Sequence, residues 1–116
     1  MATFTKTLLG GSTNGRPIKV VATGTAGTTI HTAVSGTSST DEVWLYAVNT
    51  DTVTRTLTIE FGGVTSPDDT IVVGIPSKSG LTLVVPGLPL QNSLVVNAFA
   101  DAPNVVIITG FVNRIA

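Results

Sequence analysis

The chain has 116 residues, no cysteine and 11% charged residues, with six Lys and Arg against seven Asp and Glu for a formal charge of −1. That length suits one domain with a sizeable core, and the missing cysteines remove disulfides, thiolate metal sites and cysteine nucleophiles together. No basic field exists to attract a phosphate backbone or an anionic membrane; with a mean hydropathy of +0.45, the surplus apolar surface is expected to meet other protein, not nucleic acid or membrane.

Residues 1–16, MATFTKTLLGGSTNGR, are rich in Gly, Ser, Thr and Asn and read as an extended N-terminal arm. Its apolar residues Phe4, Leu8 and Leu9 are too few for a core and are spaced to anchor an extended strand on a neighbour. The stretch lacks an apolar core of signal-peptide length. Residues 17–116 form the second unit, a β-sandwich domain. Thr, Val and Ile dominate it, and no window sustains the i, i+3, i+4, i+7 spacing of an amphipathic helix. Eight strands are predicted, at 17–23, 28–34, 42–49, 55–61, 70–75, 79–85, 92–100 and 104–113. Turn-forming segments separate them, among them SGTSSTD, NTDTVT, GGVTSPDD, PSKSG and PGLPLQ, whose Gly, Pro, Asn, Asp and Ser favour reversal of the chain. An all-β chain with short strands at this spacing is expected to be an antiparallel, jelly-roll-like β-sandwich.

Side-chain alternation sorts the strands. In 55–61, Leu57, Ile59 and Phe61 share one face and Thr56, Thr58 and Glu60 the other, the pattern of a strand with one wet side. Segments 42–49, 92–100 and 104–113 are apolar on both faces. In DEVWLYAVN (41–49), Val43, Leu45 and Ala47 face one way and Trp44, Tyr46 and Val48 the other. A chain this short has no spare layer to cover a second face, so the expected cover is a partner, most simply a copy of the same chain in a homo-oligomer, with a homotrimer favoured. The most apolar window, 81–100, is broken by Pro86, Pro89, Gln91 and Asn92 and does not read as a membrane span.

Residues able to do chemistry are sparse. His31, the sole histidine, lies mid-strand in TTIHTA with no nucleophile motif, and an exposed or hydrogen-bonded strand position is expected. Asp68 and Asp69 in SPDDT offer only part of a calcium shell and read as turn builders. Asp41–Glu42 reads as a charged strand start that discourages edge pairing. The glycines at 10, 11 and 15 precede no helix and cradle no phosphate. Trp44 and Tyr46 share a face and could serve as a sugar-stacking platform, but packing in a core or subunit contact is the stronger reading. No catalytic residue, cofactor, metal or small-molecule substrate is therefore expected, and the candidate interface residues are Phe4, Leu8, Leu9, Trp44 and Tyr46.

From about Pro17 to Ala116, the segments IHTAVSGT (30–37), DEVWLYAVNTD (41–51), LTIEFGGVTSPDD (57–69), SGLTLVVPGLPLQNSLVV (79–96) and GFVNRIA (110–116) follow one another in an order that resembles small β-rich virion proteins of tailed bacteriophages. The resemblance implies a non-enzymatic structural protein, most like a capsid decoration, or cement, protein that binds the major capsid protein. Such a protein would sit on the capsid surface of the virion after assembly in the host cytoplasm. Neck, tail and head-fibre proteins share the style, so position in the particle stays open. A lectin-like glycan-binding module and a hydrolase using His31 with Asp68 or Asp69 are the alternatives from other classes.

Overall fold

The computed structural model describes residues 3–116; Met1 and Ala2, the start of the expected arm, lie outside the described residues. Nine strands follow in chain order: β1 (Phe4–Leu8), β2 (Ile18–Lys19), β3 (Thr28–Thr32), β4 (Thr40–Asn49), β5 (Arg55–Phe61), β6 (Thr70–Ile75), β7 (Thr82–Leu90), β8 (Val95–Ala100) and β9 (Val106–Ile115). One sheet has the order β1-β9-β4-β7, with β2 also on β9, and the other the order β3-β8-β5-β6. The antiparallel pairs β2–β9, β3–β8, β4–β7 and β5–β6 are nested. They describe one long hairpin, closed at the β5–β6 turn and rolled into two facing sheets, which is the jelly-roll path.

The inner faces carry the residues that alternation assigns to them. Val43, Leu45 and Ala47 of β4 meet Leu57 and Ile59 of β5 and Val96 and Ala98 of β8 in one core, all fully buried. β-Branched and aliphatic side chains suit this pleated, buried setting.

Three expectations are corrected. Residues 4–8 are not a detached arm: β1 adds to the chain's own sheet, in register with β9 from Phe4↔Ile115 to Leu8↔Phe111, and Leu9 is buried in the core. The arm's unpaired backbone groups find partners on the open edge of β9, so strand addition occurs within the chain. The strand expected at 79–85 starts later and runs on through PGLPL to Leu90, in spite of two prolines. Edge position makes this possible, because among the described residues β7 pairs with β4 alone and a proline can face outward without losing a ladder bond. Finally, Thr58 and Glu60 are buried. Their side of the sheet is roofed by the chain's own loops: the β2–β3 loop lays Gly27 against the Ala98 backbone and sends the Thr25 hydroxyl to Glu60.

Candidate functional site

Cross-strand partners in a sheet point to the same side, so the register defines the outer face of the five-stranded sheet. Leu8, Phe111 and Trp44 form one row across β1, β9 and β4. Phe4, Ile115 and Thr40 form a second, Lys6, Asn113 and Glu42 a third, and Thr109, Tyr46 and Leu83 a fourth. Among the described residues, no further layer lies over these rows. Phe4 is 68% exposed, Leu8 56% and Leu83 46%, while Trp44, Tyr46 and Phe111 are half-buried by their neighbours. The three most exposed side chains present on the order of 300 Å² of apolar surface, and the half-buried Trp44, Tyr46 and Phe111 lie between them, so the face is a candidate contact surface.

The patch has a built centre. The Trp44 and Phe111 rings stack with centroids 6.1 Å apart and planes 14° off parallel, and the Lys6 ammonium sits 4.5 Å above the Phe111 ring centroid. Trp44 Nε1–H donates to Glu42 Oε1 at 2.7 Å, and the Asn113 amide donates to the same oxygen at 3.1 Å. Those two bonds, the Trp44 one foremost, hold the Glu42 carboxyl below its ordinary value. The indole lies over Gly87, which sits at φ +75° where a Cβ would come within 2.7 Å of the ring. A bulge in β7 at this point, where Val43 and Trp44 pair with Leu88 and Pro86, supplies that bare backbone.

Of the residues singled out in the sequence, the structure brings Phe4, Leu8, Trp44 and Tyr46 onto this one face. Leu9 does not belong with them: it is 3% exposed and part of the core, so it is withdrawn as an interface residue. Adjacent residues of a strand point opposite ways, and with Leu8 outward its successor turns in.

Behind the patch lies a buried polar network that alternation alone does not reveal. A bulge in β3 between Thr29 and His31 breaks the two-residue period, so Ile30 and His31 are both buried. The Gly10 N–H donates to His31 Nδ1 at 2.8 Å, which requires the proton on Nε2, and Nε2–H donates to Asp41 Oδ2 at 2.8 Å. Asp41 also accepts from the Val34 N–H at 3.1 Å and from Arg114 Nε and Nη2 at 2.8 and 3.0 Å. Burial pushes the Asp41 carboxyl up, but the hydrogen bonds and charges of Arg114 and His31 outweigh it and hold the group below its ordinary 3.8. The same contact raises Arg114.

Asp41 is thus no guard of a strand edge, since β4 lies between β9 and β7. Both His31 nitrogens are engaged, Nδ1 by the Gly10 N–H and Nε2 by Asp41, and so hold the Gly10 turn and β4 together. Asn49 does similar work at the other end of β4, donating to the Val53 and Ile75 carbonyls at 2.8 and 2.9 Å. Asp69 closes the turn before β6, with Oδ2 accepting from the Thr65 N–H at 3.1 Å. Among the described residues, no group of three or more His, Asp or Glu side chains is placed to hold a metal ion.

No protein-family model, no curated protein and no solved structure matches the chain at a significant level.

Proposed function

We propose that the chain is a non-enzymatic structural protein of a tailed-bacteriophage virion, a capsid decoration protein that binds the assembled head and stabilises it. The observation that carries this reading is the apolar outer face of the five-stranded sheet, with the ordered Trp44–Phe111 centre and the exposed Phe4, Leu8 and Leu83 around it. A face of this kind works when covered by protein, and the jelly-roll fold and the resemblance of residues 17–116 to phage virion proteins point the same way.

In this reading the chain associates as a homotrimer through the apolar face, a symmetry that suits three-fold positions between capsomers. The trimer then contacts the major capsid protein across capsomer boundaries. Binding the assembled shell in preference to free subunits stabilises the shell by mass action, without any chemical step. Working on the virion surface needs no cofactor, nucleic acid or membrane.

The test is co-sedimentation of the purified protein with heads stripped of it, followed by imaging. Saturable occupancy at symmetry-related positions and improved resistance of the heads to heat support the proposal; absence of binding to heads, with binding to necks or tails, moves the protein elsewhere in the virion. A second reading has its own observation. Glu42, Asn113 and Lys6 border the stacked Trp44 and Phe111 rings, the mixture of ring face and polar groups on which a sugar can stack and hydrogen-bond. Binding on a glycan array that Trp44→Ala abolishes would favour a lectin-like module.

A further inference from the structure

The opposite sheet carries a different feature, independent of the virion reading. On the outer side of β5, β6 and β8 is a cavity of about 190 Å³ with Glu60 in its lining. Val64, Val72 and Phe99 make its apolar walls, and Thr58 and Thr70 contribute hydroxyls. Glu60 is 1% exposed. Its Oε1 accepts from the Gly27 N–H at 2.7 Å and its Oε2 from the Thr25 hydroxyl. Among the described residues, no Lys, Arg or His pairs with it. Its direct partner across the β5–β8 pair is Asn97, whose Oδ1 is buried with no hydrogen-bond donor.

A carboxylate removed from water is costly unless a cation or several donors compensate it, and a buried acceptor without a donor is uncommon. Here both occur at paired positions of β5 and β8, and Glu60 is also part of the cavity wall. We propose that this cavity is a binding site for a primary alkylammonium group.

The chemistry selects among cations. A calcium ion wants six or more oxygens, and one carboxylate with a few hydroxyls falls short. A guanidinium is larger and planar and takes a carboxylate best in a two-oxygen fork, whereas Glu60 is 1% exposed and offers the cavity little of either oxygen. An ammonium is compact and carries three donors: one for a remaining lone pair of Glu60, the others for the hydroxyls of Thr58 and Thr70. The alkyl stem lies against the apolar walls made by Val64, Val72 and Phe99. Such a group can come from a free amine or from a lysine side chain.

The probe is n-butylammonium chloride, titrated at constant ionic strength and followed through the backbone amide signals of Thr25 and Gly27, with n-butanol as the uncharged control. The expected result is saturable shifts with a Kd of about 1 mM or tighter, weakened at least about tenfold by Glu60→Gln. Val72→Trp, at a wall position 63% exposed, leaves the Glu60 side chain itself unchanged while filling the cavity from its exposed side and should abolish the shifts; it keeps the test decisive if Glu60→Gln does not fold. Nα-acetyl-lysine N-methylamide distinguishes the sources: binding equal to that of butylammonium supports recognition of a lysine side chain, and binding of butylammonium alone supports a free amine. Shifts that do not saturate, that n-butanol reproduces, or that survive Val72→Trp overturn the proposal.

Discussion

Replacing Asp41 with asparagine keeps the shape of a wholly buried side chain and changes only its hydrogen bonding. The carboxylate accepts four bonds: from His31 Nε2, the Val34 N–H and two Arg114 nitrogens. Asparagine has one acceptor oxygen. Set at the Oδ2 position, it keeps three of the four and turns its NH₂ against the Arg114 Nε–H, donor to donor. Losing one charge-assisted bond costs about 1.5–3 kcal/mol. The guanidinium also loses its anion, although water recovers part of that because the Arg114 side chain is 36% exposed. The sum is about 3 kcal/mol, or a fall of about 12 °C in Tm for a domain of this size. Denaturation followed by Trp44 fluorescence, at one fixed protein concentration so that association contributes equally, measures it. The pH dependence gives a second handle. The folded Asp41 carboxyl lies below its ordinary 3.8, so its contribution is present above the unfolded value and is lost as pH falls through the folded one. Asp41→Asn should remove that part of the acid sensitivity. A variant within about 0.5 kcal/mol of the parent, well inside the range of ordinary surface changes, or one with the parent's acid profile, refutes the reasoning.

His31→Ala strands both the Gly10 N–H and one acceptor site of Asp41, so a loss of about 2–3 kcal/mol in urea unfolding is expected instead of the small effect an exposed histidine would give. Leu9→Ala should cost about 3 kcal/mol by the same assay, as for a buried leucine, whereas a detached arm predicts no change. Gly87→Ala forces a Cβ against the Trp44 ring at a positive φ; a shifted Trp44 emission maximum and a lower Tm are expected, and an unchanged spectrum would mean the indole does not lie over the bulge.

The two-residue period made most of the fold legible. Strands 55–61 and 70–75 fall where alternation and turn residues put them, and the doubly apolar β4 leads directly to a sheet with one face open. Legibility ended where local pattern and tertiary pairing part company. Composition marks 1–16 as a loose arm, because a strand that borrows its stability from the edge of β9 needs little apolar content of its own. The β3 bulge moves His31 from the expected polar side into the interior, and no single-residue signal announces it. Asp41 and Asn49 continue the inward phase of Val43, Leu45 and Ala47, so their burial was available from the period, but their charge and polarity pointed outward. Glu60 was hidden for another reason: its cover is a loop 33 residues away in sequence, and alternation sees only neighbours.

The central claim, that the outer face of the five-stranded sheet works covered by protein, is tested most directly by sedimentation velocity of the parent chain and of a Leu8→Lys, Leu83→Lys variant. Both positions are exposed in the lone chain, so the substitutions leave the fold in place while putting charge in the patch. The account predicts a discrete oligomer, a trimer in the proposed form, for the parent at about 10 μM, a concentration at which an interface of ordinary specific affinity is occupied. It predicts a folded monomer for the variant. A parent chain that sediments as a monomer, or a variant that keeps the parent's oligomeric state, contradicts it.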